Sequence, residues 1–323
     1  MVVLNQLGDN LHVWVIRHNQ VTTHVATIDP LRGAGLVKAH LDEVALGAVT
    51  PTVSADLFDA VLRPVARGLQ GAQMMVMVAD APYDRVGFAG LWDRRRNRFV
   101  VEDYGLVAAP SATAYVFATA QSTRPRSDNL RRAAIVEASN RRGDGRVESV
   151  SSALSGIYDG ARFRRGDHAT SAGLLEDVLA HDVVHVSASV VASREYPALS
   201  RLVMADEPGY KHSGFVFARE MRQGSPTARL VALEAQPPSG IVREGTGALG
   251  FARALLAAGV PTVVGSVVDA GGTDLDRTWL DFHRHYAAGT AAVASLRRAQ
   301  LAALDESRRT GPWAALTAFG SIQ

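Results

Sequence analysis

The strongest constraint on this sequence is a repeated alternation in its carboxy-terminal third, where short, wholly apolar runs are separated by stretches of helical length. Residues 229–233 read as a strand, 247–258 as a helix, 262–268 as a strand, and 277–287 and 291–304 as helices. An apolar run with no polar alternation fits a strand buried on both faces, and strands separated by helices are joined by parallel crossovers. The expected class is α/β, a mostly parallel sheet flanked by helices on both faces.

The same pattern extends upstream. Residues 11–16 and 21–28 alternate apolar and polar residues around His18-Asn19-Gln20, the signature of a β-hairpin. A helix is expected from Leu36, and another over 56–69 with Ser54 as its N-cap, since Leu57, Phe58, Val61, Leu62, Val65 and Leu69 recur at helical spacing. Met74 to Val78 is a short apolar run, so Met74, Met75 and Met77 read as core. Trp92 and Trp313 read as core too. After a polar break over 121–129, strands are expected at 133–136 and 183–186, with helices at 147–158 and 174–179.

The 323 residues, 47% of them hydrophobic, suffice for one large domain or two ordinary ones. Lys and Arg total 34 against 32 acidic residues, a formal charge of +2, and the arginine runs lack interleaved aromatics, so they read as a solvated face and not a nucleic-acid groove. No basic-then-apolar leader opens the sequence and no run reaches the roughly 20 apolar residues of a membrane span, which makes the cytoplasm the expected address. The chain contains no cysteine, hence no disulfide, no thiolate metal ligand and no thiol nucleophile.

Three segments carry a resemblance. Residues 85–93 (RVGFAGLWD), followed by 99–104 and 108–111, resemble one element of the CHAT family. Residues 182–189 (DVVHVSAS) resemble the family's strand that ends in a catalytic His. Residues 228–236 (ARLVALEAQ), followed by the glycine-rich stretch 244–261 (EGTGALGFARALLAAGVP), resemble its cysteine-bearing strand, loop and helix. The tail, with Phe282-His283, Leu296, Ala299, Gln300, Trp313 and Phe319-Gly320, is similar as well. The resemblance implies a caspase-like fold of the clan CD cysteine peptidases, with residues 1–125 as an N-terminal α+β subdomain and 126–323 as the caspase-like core. Fold alone does not establish function.

On that resemblance Ser189 stands where the family has its His, and Gln236 where it has its Cys. A Gln amide is not a nucleophile near neutral pH and a Ser hydroxyl is no general base there, so no catalytic residue is expected. A further motif of the family corresponds to 268–272 (VDAGG), where its Trp becomes Val268 and its last Asp becomes Gly272. The cleft candidates for binding are His185, Ser187, Glu234, Ser239, Asp269 and Gly272. His185 lies four residues before Ser189, about 13 Å away on an extended strand at about 3.3 Å per residue, and reads as a hydrogen-bonded core histidine. His283 and His285 fall on different faces of a helix, poor geometry for one metal. Neither 143–145 nor 245–247 completes a phosphate-binding glycine motif. The expected function is a catalytically inactive pseudopeptidase that binds a peptide or protein partner, including a repeat-containing one, with no cofactor, metal, nucleic acid or membrane. A hydrolase with a serine nucleophile, such as Ser239 or Ser193, and a pure assembly scaffold are the alternatives.

Overall fold

The computed structural model describes residues 1–18, 20–124, 132–138, 150–193, 195–209, 213–236, 247–268 and 273–322. Its first strands show the period of two that the hairpin pattern predicts. β1 (Val2–Leu7) pairs antiparallel with β2 (Asn10–Arg17), and β3 (Gln20–Thr27) continues the meander. Val2, Leu4, Leu11, Val13 and Val15 pack with residues of α1 (Pro30–Leu46) and α2 (Thr52–Val61) in one core. Asp29 caps α1 by accepting from the Arg32 backbone N–H, and Pro30 begins the helix where its missing N–H leaves no gap.

The second helix departs from expectation at both ends. Ser54 is not its cap: the helix begins at Thr52, and the Glu43 carboxylate, reaching across from α1, accepts from the backbone N–H groups of Val53 and Ser54. Beyond Val61 the chain tightens into a 3₁₀ helix through Leu69, because Pro64 has no N–H for the α-helical ladder. β4 (Met74–Ala79) is the apolar run, with Met75 and Met77 in the core beneath α1 and α2 and Val76 in the opposite one. Met74, at its start, is 37% exposed and not core. β5 (Trp92–Asp93) and β6 (Arg98–Phe99) form a small ribbon in which half-buried Trp92 packs edge-on to Phe99, and the fully buried Trp313 makes a second edge-on contact with that ring. There follow α3 (Val100–Asp103), β7 (Gly105–Ala109) and α4 (Ala112–Ser122), the last capped by the Ser111 hydroxyl.

The remaining elements are β8 (Ala133–Glu137), α5 (Val150–Ala153), β9 (Arg162–Arg165), α6 (Ser171–Ala180), β10 (Val183–Val191), β11 (Arg201–Val203), β12 (Phe215–Phe217), β13 (Leu230–Gln236), α7 (Gly247–Ala258), β14 (Thr262–Ser266), α8 (Thr273–Ala287), α9 (Ala292–Ser307) and β15 (Leu316–Gly320). Where one helix was expected over 147–158, the described part holds only α5 and a 3₁₀ turn at Leu154–Gly156. Ser151, Ser152, Ser155 and Gly156 are poor helix formers, which accounts for the short element.

One 13-stranded sheet runs through the molecule in the order β12-β11-β10-β13-β14-β15-β7-β4-β1-β2-β3, with β8 on β10 and β9 on β8. The position 125/126 falls outside the described residues. The sheet passes between strands on either side of it through β15, which pairs antiparallel with β14 and parallel with β7. Among the described residues, β8, β10, β13 and β14 carry apolar cores on both faces. One face packs against α5, α8 and α9 through Val150, Trp279, Phe282 and Leu296, and the other against α6 and α7 through Val178, Phe251 and Leu255. That double burial is the reason the strands read as unbroken apolar runs.

Candidate functional site

β10 and β13 lie side by side and parallel, with His185 opposite Ala232, Ser187 opposite Glu234 and Ser189 opposite Gln236. Residues paired in register on neighbouring strands project to the same face, so His185, Ser187, Ser189, Ala232 and Glu234 share the α8-covered face. Along it the chemistry changes. Val183 and Leu230 are apolar, His185 comes next, then Ser187 and Glu234, then Ser189 and Gln236 at the carboxyl ends of the strands. The carboxyl edge of a parallel sheet is where open α/β folds place ligands.

β10 is longer than expected, running through both His185 and Ser189, and it changes neighbours at the upper end. Residues 183–187 pair with β8, while 189–191 pair with β11. Ser189 is half-buried, at the point of the change. The segment after β10 is held close by α7: a Cβ on Gly250 would stand 2.6 Å from the Pro197 carbonyl oxygen, so only glycine allows that approach. The position matched to the family's Cys is described through the backbone register of Gln236. Ser239, Asp269 and Gly272, and the glycine pairs at 143–145 and 245–246, lie outside the described residues.

Below Ser189 the structure assembles a buried polar chain. His185 is 1% exposed and Glu234 is 4% exposed, and His185 Nε2 lies 3.3 Å from Glu234 Oε2. On its other side His185 Nδ1 lies 3.1 Å from His283 Nε2, and His283 Nδ1 lies 2.9 Å from the Tyr158 hydroxyl. Trp279, fully buried, lies edge-on with His185 and has an indole N–H with no hydrogen-bond partner among the described residues. Burial pushes the His283 imidazole well below its ordinary range, and a charge on His185 would push it further, so His283 is neutral. A neutral imidazole has one N–H. With a carboxylate at one end the directions follow in sequence: Tyr158 O–H donates to His283 Nδ1, His283 Nε2–H to His185 Nδ1, and His185 Nε2–H to Glu234.

His185, Ser187 and Glu234, expected together, are brought together at this level. The core reading of His185 agrees with its geometry, and its ring bonds to Glu234 and His283, not to Ser189. His283 and Tyr158 were missed as members, because they stand 98 and 125 residues away from their partners and no local pattern links them. His283 is fully buried while His285 is half-buried on the other side of α8.

A third buried histidine belongs to a different cluster. His40, on α1, has Nδ1 2.9 Å from the Ser54 hydroxyl, and that hydroxyl donates to the same Glu43 carboxylate that caps α2. Burial lowers the His40 imidazole to about 4, outweighing a contact with the Gly87 backbone that acts in the opposite direction. Elsewhere, a cavity of about 400 Å³ opens at the amino ends of the strands, beside Met74, Arg229 and Pro261. It is remote from Ser189, and Arg229 there is engaged by the Ser122 and Arg124 carbonyls. Among the described residues no group of three His, Cys, Asp or Glu could hold a metal, and no helix is long and apolar enough to cross a membrane.

Comparison with solved structures finds this architecture in cysteine peptidases. The chain is similar to the Arg-specific cysteine proteinase gingipain R, with 13% identity and a TM-score of 0.54 over 89% of this chain and 74% of that one. It is similar also to the complex of Porphyromonas gingivalis gingipain pro- and mature domains, with 12% identity and a TM-score of 0.51 over 85% and 70% of the respective chains. The Saccharomyces cerevisiae separase–securin complex matches at 11% identity and a TM-score of 0.50, covering 77% of this chain and only 15% of that one. At these identities the likeness is one of fold. No curated protein matches the chain. The family model described as the CHAT domain matches residues 52–321, which takes in both strands of the site, and the chain belongs to the CHAT domain family, on a caspase-like α/β fold.

Proposed function

We propose that this CHAT domain is a non-catalytic member of its family that uses the carboxyl edge of β10 and β13 to hold a peptide or protein partner. The observation that carries the reading is the pair of residues at that edge: Ser189 and Gln236 are register partners in a chain without any cysteine. Hydrolysis on this fold requires a nucleophile with a base beside it. Gln236 offers no nucleophile, and the other imidazole nearby, His185, has both ring nitrogens within hydrogen-bonding reach of buried partners, His283 and Glu234. That arrangement speaks against a serine hydrolase rebuilt around His185.

The test is turnover. A pool of fluorogenic peptides and an unfolded protein substrate should show no cleavage above the no-enzyme rate, and a fluorophosphonate probe should leave the folded chain unlabelled. Binding to an immobilised peptide library should be retained by the wild type and reduced at least tenfold by Ser189→Arg, which fills the edge. Cleavage that disappears on changing one residue of this chain would overturn the reading; a library that returns no peptide sensitive to Ser189→Arg would turn it toward a scaffold without a cleft ligand.

A further inference from the structure

The buried chain beneath the cleft has a property that its separate contacts do not. Every member can both donate and accept: the Tyr158 hydroxyl, two imidazoles and a carboxyl group that accepts when ionised and donates when protonated. The links measure 2.9, 3.1 and 3.3 Å from Tyr158 to Glu234, so protons can be passed along without moving a heavy atom.

We propose that Tyr158, His283, His185 and Glu234 form a hydrogen-bond wire that takes up one proton beneath the cleft and reverses direction as a unit when it does so. In the deprotonated state Tyr158 donates to His283, His283 to His185 and His185 to Glu234, and the wire carries one negative charge. Each hydrogen then passes one link toward Glu234: from the Tyr158 hydroxyl to His283 Nδ1, from His283 Nε2 to His185 Nδ1, and from His185 Nε2 to the Glu234 carboxylate, while one proton from solvent replaces the hydrogen lost from the Tyr158 oxygen. Glu234 then donates to His185 Nε2, His185 Nδ1–H to His283 Nε2, and His283 Nδ1–H to the Tyr158 oxygen. Only N–H and O–H bonds change; nothing is oxidised or reduced, and the wire becomes neutral overall.

Burial makes this route preferable to charging an imidazole in place. His283 is fully buried, with no imidazolium-stabilising carboxylate bonded to it, and Trp279 and Phe282 pack against its ring. His185 and Glu234 are 3.3 Å apart, longer than the roughly 2.7–2.9 Å of a charge-assisted bond. The other ionisable groups facing the wire are few among the described residues. β8 contributes Glu137, at the level of Ser187 and paired with Arg165 of β9 at 3.0 Å. α8 contributes Asp276, on the stripe of Trp279 and His283 with its Oδ1 buried. Neither bonds to either imidazole.

The consequence is a cleft floor whose charge rises by one when the wire takes up its proton, and so a partner affinity linked to pH. That consequence rests on the proposed binding role, but the wire itself is testable without any ligand. Two-bond ¹H–¹⁵N correlation spectra of ¹⁵N-histidine-labelled protein, recorded from about pH 8 to about pH 5 across the range where free imidazole titrates, report which ring nitrogen carries the proton. His283 should invert from the Nε2–H to the Nδ1–H tautomer without becoming imidazolium, at the same midpoint at which His185 Nδ1 gains its proton. Glu234→Gln, which keeps the shape and removes the ionisable group, should abolish the inversion. A His283 that keeps one tautomer throughout, that becomes imidazolium, or that still inverts in Glu234→Gln would overturn the proposal. Failure to find a peptide ligand would leave these spectra unchanged, so the two readings fail separately.

Discussion

Two polar clusters of this molecule hold buried histidines, and the clusters differ in reach. His40, Ser54 and Glu43 lie within 14 residues of one another, on two successive helices, and the carboxylate ends on backbone N–H groups of α2. His185, Glu234, His283 and Tyr158 come from two strands, a helix and the stretch after a 3₁₀ turn, and they meet at the carboxyl edge of the sheet. The first cluster spends its hydrogen bonds on local backbone, which makes it a clamp. The second joins side chain to side chain across distant parts of the fold, near the edge where open α/β folds place ligands, and its bonds have two possible directions. The lesson is that burial of a histidine says little about its role until the partner atoms are named.

The largest effect should come from breaking the clamp. Glu43→Ala removes the acceptor for the Val53 and Ser54 N–H groups and for the Ser54 hydroxyl. Loss of an N-terminal cap together with a hydrogen bond to a charged group predicts a destabilisation of about 3 kcal/mol in equilibrium chemical unfolding. Glu43→Gln should recover part of that loss, since its amide oxygen can still accept. A cost under about 1 kcal/mol for Glu43→Ala would mean that the cluster does not clamp α1 to α2.

The next effect separates the clusters by pH. His40 in the folded chain is held near 4, against an unfolded value of 6.5, so below pH 6.5 the unfolded state binds a proton that the folded state refuses. The stability that depends on neutral His40 is therefore complete above pH 6.5 and is lost as pH falls toward 4, by about 3 kcal/mol over the whole range. His283, lowered in the same direction, adds to the slope. Unfolding free energies measured at about pH 7 and pH 4.5 should fall by about 2 kcal/mol more for the wild type than for His40→Gln. An equal fall in the two proteins would remove His40 from the acid response and leave it to the second cluster and the carboxylates.

How much of this was legible beforehand depends on the distance over which each feature is written. The β2–β3 hairpin, β4 and the alternation from β13 to α9 are local patterns, and the sequence displays them. β1 was passed over because Asn5-Gln6 interrupts its apolar alternation, and β15 because Leu316–Gly320 is short and rich in small residues. Both become strands only through neighbours supplied by tertiary pairing. At the site, Ser189, Gln236, His185 and Glu234 could be placed because they lie in two strands that resemble the family's. His283 showed only as one of two histidines on a helix, and Tyr158 only as the end of an expected helix. Nothing near either residue points to the other.

The smallest effect tests the far end of the wire. Tyr158→Phe keeps the ring, which lies edge-on to His283 with centroids 5.6 Å apart, and deletes the hydroxyl bonded to His283 Nδ1. The loss of one buried hydrogen bond that leaves a ring nitrogen unsatisfied should cost about 1–2 kcal/mol, less than breaking the clamp. The sharper readout lies in the imidazoles. If Tyr158 orients the wire, His283 without it loses the donor that favours its Nε2–H tautomer, and the two tautomers should both be populated where the wild type has one. A variant that is destabilised by that amount but keeps a single His283 tautomer would show that Tyr158 only packs, and that the direction of the wire is set from the Glu234 end alone.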